Sequence, residues 1–162
     1  IFTAVPFVGT ELNDQFVKMG ILNKYDEELW ESCHYGVRSF DTDTCTADEL
    51  NNFTYSLNLE LNFVNNYNLR TGQYDRAIIM FKELLSSYPF HIFGQIALYQ
   101  AYKGLGDLEN SLKVKERINK TIAENGSSRE MYEKYRNLLK NTEFYNISYS
   151  KPKKREISLT PK

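Results

Sequence analysis

Acid–base and nucleophilic chemistry need polar side chains that converge, and histidine is the commonest participant. The chain has two histidines. His34 follows Cys33 directly, but neighbours on a helix project about 100° apart, so adjacency does not pair the thiol with the imidazole. His91 stands just after Pro89 and reads as a helix-start residue. The densest acidic group is Asp41, Asp43, Asp48 and Glu49. Taken as a calcium loop opening at Asp41, it puts Thr46 where glycine is required and Asn52 where a bidentate glutamate is required, which excludes an EF-hand. A solvated loop running into a helix N-terminus accounts for these carboxylates better. Gly104-Leu105-Gly106 lacks the preceding strand and the following glycine and lysine of a phosphate loop, and reads as an interhelical turn. No catalytic residue, metal site or cofactor is therefore expected. Asn52, Asn119, Asn125 and Asn146 match glycosylation acceptors, as an asparagine-rich chain does by chance, and receive no role.

With 162 residues and 19.0 kDa the chain suits one domain with its own core. Its 4 prolines and 8 glycines are too few for a chain of tight β-turns, which favours helices. Charge is uneven. Of 20 basic and 21 acidic side chains, 3 and 11 fall in residues 1–60, leaving 17 and 10 beyond. Lys151, Lys153, Lys154, Arg155 and Lys162 against Glu156 make a basic tail, read as a solvated terminus with no nucleic-acid partner. No apolar run approaches the roughly 20 residues needed to cross a bilayer, so a soluble chain is expected. It opens Ile1-Phe2-Thr3-Ala4-Val5 without an initiator methionine, as a fragment or a processed product would. Cys33 and Cys45 are either two unrelated small residues or a disulfide closing a short loop, worth about 3 kcal/mol in an oxidising compartment.

Apolar residues recur at helical spacing, so the fold class is expected to be all-α with about seven helices. A first helix begins after Thr10 with Leu12, Phe16, Met19 and Leu22 inward. A second, from about Asp26, carries Leu29, Trp30, Cys33 and Val37. Thr46-Ala47-Asp48-Glu49 has the form of a capping box, and the helix it opens is expected to run to Arg70, where Thr71-Gly72 ends it. Further helices are expected over Tyr74 to Ser87, His91 to Lys103 and Leu108 to Ala123, the last capped by Asp107. Asn125-Gly126 closes that helix, and Ser127-Ser128-Arg129-Glu130 is a second capping box opening the last one. Periodicity fades from Thr142, so the tail is expected to be either mobile or packed only through Phe144 and Tyr145.

Self-similarity at a 34-residue period organises the middle of the chain. With Pro89 ending one unit, Gly72, Tyr74, Ala77 and Phe81 fall on its turn and second-helix positions; the next register, from Ile92, places Leu98, Ala101, Tyr102, Leu105, Gly106 and Leu108 alike. Residues 58–123 thereby resemble two tetratricopeptide repeats. Ser111 departs from the expected alanine, and Asn65 and Asn68 from the usual glycine and aromatic. The resemblance implies antiparallel helix hairpins stacked as a short superhelix, flanked by divergent N-terminal helices (1–57), a capping helix (124–142) and the basic tail (143–162). Small residues such as Ala77 and Ala101 would sit where helices approach closely, with Tyr74, Phe81, Tyr102 and Leu108 filling the gaps.

In such arrays the first helix of each pair lines a concave surface that binds a protein or peptide. The matching positions here are Leu59, Asn62, Asn66, Leu69 and Arg70, then Phe93, Ile96, Gln100 and Lys103. Asparagine and glutamine can bond a peptide backbone, and Arg70 and Lys103 a carboxylate. Phe93 and Ile96 form either an apolar wall or part of the core. The grooves of a purely architectural domain would instead be filled by its own tail. The layout is also similar to the soluble C-terminal region of some bacterial membrane-bound glycan polymerases and oligosaccharide ligases. That likeness implies a membrane-bound remainder of the same chain and an oxidising periplasm that would favour the Cys33–Cys45 bridge.

Overall fold

The computed structural model describes residues 4–23 and 37–149. Over these residues the protein is all-α, with seven α-helices and no β-strand. The chain divides into two compact units, Ile1–Leu59 and Glu60–Lys162.

In the first unit, α1 (Glu11–Lys18) starts where the sequence predicts. Thr10 Oγ1 accepts from the Asn13 amide at 3.3 Å and donates to the Phe7 carbonyl at 2.6 Å. The helix stops at Lys18 and the chain turns at Gly20, φ 72°. Met19 therefore lies outside the helix and is 64% exposed rather than inward. The second expected helix, with Leu29, Trp30, Cys33 and His34, lies outside the described residues; Val37, assigned to its inner face, is exposed and not helical.

The loop that follows is organised by Arg38, whose guanidinium donates to the carbonyls of Cys45 and Thr46 at 2.6 and 2.9 Å. The Arg38 hydrogen bond to Cys45 Sγ, 3.2 Å long, lowers the thiol pKa. The bridge inferred for Cys45 has its other half, Cys33, outside the described residues. The capping box forms as expected at the start of α2 (Ala47–Leu59). Glu49 Oε2 accepts from the Thr46 amide at 2.9 Å, and Thr46 Oγ1 from the Glu49 amide at 3.2 Å. The Thr46 amide, and then the Thr46 hydroxyl donating to the same Oε2 at 3.0 Å, hold the Glu49 carboxyl below its ordinary pKa.

A single helix from Thr46 to Arg70 does not exist. The chain makes a π-helical turn over Glu60–Val64 and restarts as the one-turn α3 (Tyr67–Arg70). Asn66 causes the restart: its side-chain oxygen accepts from the amides of Asn68 and Leu69 at 2.9 and 3.4 Å, and its nitrogen donates to the Asn62 carbonyl at 2.9 Å. Asparagine satisfies free helix-start amides better than it fills a helix interior.

The second unit continues through α4 (Tyr74–Ser87), α5 (Ile92–Leu105), α6 (Leu108–Glu124), α7 (Gly126–Tyr135) and a 3₁₀ turn, Arg136–Leu139. Gly72 and Gly106 both adopt positive φ, 72° and 83°, in the turns where the sequence puts them. Gly104 and Leu105 still belong to α5, so Gly106 alone makes that turn. Asp107 caps α6 by accepting from the Asn110 amide at 3.1 Å. The second capping box is not used. Asn125 caps α7 by accepting from the Ser128 amide at 2.9 Å, and Ser128 is buried with its hydroxyl donating to the Phe90 carbonyl. Gly126 thus opens a helix instead of closing one.

Helix α5 packs against α4, α6 and α7, and its residues from Ile92 to Tyr99, with Ala101 and Tyr102, are buried. A helix apolar on all sides requires such a central place. Its core with α4 joins Ala77, Phe81, Leu85, Ala97, Leu98, Ala101 and Tyr102. Ala77 and Ala101 are fully enclosed, and Phe63 lies stacked over both Phe81 and His91 at 6.0 and 4.6 Å. Burying a phenylalanine side chain such as Phe81 contributes roughly 1.5–3 kcal/mol. Leu108 does not fill a gap: the buried stripe of α6 starts at Ser111 and continues through Ile118, Thr121 and Ile122, leaving Leu108 68% exposed. Thr121 Oγ1 accepts from Gln95 Nε2 at 3.1 Å within this core.

Candidate functional site

The nine positions expected to line a binding face do not stay together. Phe93 and Ile96 are buried, so of their two readings the structure gives the core one. Leu59 is also buried. Leu69 is half-buried and packs against the α4–α5 core. Asn66 is buried, its oxygen committed to capping α3 and one N–H given to the Asn62 carbonyl. These five are corrected from ligand positions to structural ones. Two causes act: α5 is enclosed on several sides, which buries Phe93 and Ile96, and the chain restarts its helix at Asn66, which ties up that side chain as a cap. Asn62 and Arg70 remain exposed.

Gln100 and Lys103 do reach a cleft, of about 390 Å³, on the outer side of α5. Its walls are Tyr99, Gln100, Lys103 and Gly104 of α5 and residues 141–144 of the segment after the 3₁₀ turn. Gly104 is where α5 meets Tyr74, since a Cβ there would stand 2.3 Å from the Tyr74 ring. The carboxylate of Glu143 lies across the rim. Oε1 accepts from Tyr99 Oη at 2.6 Å and Lys103 Nζ at 2.8 Å, and Oε2 accepts from Lys115 Nζ of α6. Behind it Phe144 is buried, its ring edge-on to Tyr99 at 4.8 Å. Tyr132 Oη donates to the carbonyls of Phe144 and Tyr145 and accepts from the Ile147 amide, which fixes the backbone of this segment.

The electrostatics follow from that convergence. Hydrogen bonds from Lys103, Lys115 and Tyr99 hold the Glu143 carboxyl at a pKa of about 2. Its bond to Glu143 raises the pKa of Lys103, and likewise of Lys115. Burial, then the bond to Glu143, raises that of Tyr99. The cluster is thus fully ionised at neutral pH, with the phenol as a neutral donor. In this group two ammonium groups and a phenol hold the Glu143 carboxylate.

Sequence reasoning missed Tyr99, Lys115 and Glu143. Tyr99 precedes Lys103 by one helical turn and so shares its face. Glu143 is the sole acidic residue between Lys134 and Arg155, a second signal in the sequence. His91 accepts from the Gly94 amide at 3.0 Å and caps α5, and burial lowers its pKa. Two further clefts lie in the same unit. One, about 390 Å³, is lined by Tyr88, Pro89, Phe90, His91 and Met131; the other, about 370 Å³, by Lys82, Tyr102, Lys113 and Arg117. Among the described residues no three His, Cys, Asp or Glu side chains gather at metal-ligand spacing, and no helix is long and apolar enough to cross a membrane. Compared with models of protein families, with curated proteins and with solved structures, the chain matches none.

Proposed function

We propose that the chain is a non-catalytic interaction module of the tetratricopeptide-like kind, binding a protein or peptide in the cleft on α5. The observation that carries this reading is the pairing of a packed helix face with an open polar one. Ala77 and Ala101 bring α4 close to α5 and Gly104 meets the Tyr74 ring, while Gln100 and Lys103 line a cleft that stays accessible. Gln100 can donate to and accept from a peptide backbone, and Lys103 can pair with an acidic group. The cleft's size falls in the range of small-ligand sites, enough for two or three peptide residues.

Panning a displayed random-peptide library against the full chain tests the reading. Enriched peptides should share a sequence pattern and should lose affinity at least about tenfold when Gln100→Arg fills the cleft, with circular dichroism unchanged. Enrichment of no shared pattern, or affinities indifferent to Gln100→Arg, refutes it. A specific observation favours a second reading, in which the domain is architectural and its groove self-occupied: Glu143 and Phe144 already lie on the α5–α6 surface. On that reading the library yields no binder to the intact chain.

A further inference from the structure

Glu143 faces two ammonium groups and a phenol. With the carboxylate ionised, the pair of lysines still leaves this cluster one positive charge in excess. The electrostatic interactions that bear on each member come chiefly from the other members, so the excess is not cancelled within the group.

The two halves of the segment are held unequally. Glu143 is 31% exposed on the side chain, and Lys103 and Lys115 are 59% and 41% exposed. Ion pairs this open to water are weak and exchange readily. Phe144 is the opposite: buried, packed on Tyr99, and backed by the Tyr132 hydroxyl at 2.9 Å. The backbone therefore stays anchored while the Glu143 side chain can rotate away. What it uncovers is a pair of ammonium groups and an oriented hydroxyl beside a cleft whose walls add the polar side chains of Gln100, Asn141 and Thr142.

We infer that Tyr99, Lys103 and Lys115 form a carboxylate-recognition site, that Glu143 is its internal ligand, and that an acidic side chain of a bound peptide displaces it. The inference rests on the peptide-binding reading above and names the chemistry of the peptide: acidic, with the carboxylate taking the place of Glu143. Glu143 then acts as a built-in competitor that sets the threshold for binding and rejects peptides without an acid.

Isothermal titration of the full chain tests this with acetyl-Thr-Glu-Phe-Tyr-amide, which copies residues 142–145, and with its glutamine counterpart. If Glu143 occupies the site about nine-tenths of the time, Glu143→Gln should raise affinity for the acidic peptide about tenfold. The glutamine peptide should gain nothing, and Lys103→Ala with Lys115→Ala should erase the gain. Equal affinity of the parent and Glu143→Gln chains for the acidic peptide overturns the inference, as does a gain shared by the glutamine peptide. A measurement on the unaltered chain guards against a loosened variant: at pH 7 the acidic peptide should shift the Lys103 and Lys115 side-chain resonances. Resonances unmoved at millimolar peptide count against the site. Concentration-dependent dimerisation of Glu143→Gln without peptide binding would assign the site to a second copy and overturn the exchange. Library peptides that still bind after both lysines are removed would end the carboxylate site and leave the interaction module standing.

Discussion

Replacing Gly104 by alanine isolates the close approach of α4 and α5. A Cβ at this position would lie 2.3 Å from Tyr74 Cε1 and 2.4 Å from Cζ, well inside van der Waals contact, so the ring must move. Overpacking of this kind costs typically about 1–3 kcal/mol. Against it stands the helix preference of alanine over glycine, about 0.8–1.0 kcal/mol in a helix interior and less this near the end of α5. The net expectation for Gly104→Ala is a loss of roughly 1 kcal/mol, or about 2–4 °C in melting temperature for a chain of this size. The decisive quantity is the sign change in the Tyr74→Ala background. There the obstacle is gone, and Gly104→Ala should stabilise by about 0.5–1 kcal/mol. Urea unfolding of the four proteins of this cycle, followed by circular dichroism, gives the coupling directly. If Gly104→Ala stabilises both backgrounds equally, Tyr74 does not press on Gly104 and α4 and α5 do not meet there closely.

Two further outcomes are expected. His91 is neutral when it caps Gly94, and burial sets its folded pKa below the ordinary 6.5, so the unfolded chain takes up the proton first. Stability supplied by this residue is therefore complete above pH 6.5 and falls as pH drops from 6.5 to the folded value. The difference in unfolding free energy between the parent and His91→Asn, which keeps a capping side chain, should shrink over that window, whereas a constant difference from pH 8 to pH 5 would contradict it. Asn66→Ala should lose about 0.5–2 kcal/mol through the α3 cap, while Asn62→Ala, which leaves the backbone carbonyl accepting from Asn66, should change thermal stability little; equal effects would mean that Asn66 is no cap.

The elements were largely legible because most of their signals are local. Thr10 and Asp107, the Thr46–Glu49 box and the glycines at 72 and 106 act within one helical turn, so their roles can be read without knowing what packs where. The misreadings have physical causes of the same scale competing with larger ones. Asn66 had a helical neighbourhood by periodicity, yet its side chain bonds two amides better outside a helix. Ser127 had the form of a cap, but Asn125 takes that place by accepting from the Ser128 amide, and the helix starts at Gly126 with Ser127 already inside it.

The candidate site was legible only in part, at Gln100 and Lys103. Periodicity shows that α5 is apolar; it does not show that three other helices enclose it, and that enclosure turned Phe93 and Ile96 from a wall into core. By itself the amino-acid order determined an all-α chain, its main caps and its turns, because capping bonds and left-handed glycines are settled between residues three or four apart. Only tertiary structure could decide that Glu143 meets Lys103 and Lys115, across 40 and 28 positions of chain. Contacts at that separation exist only once packing has fixed where the helices lie.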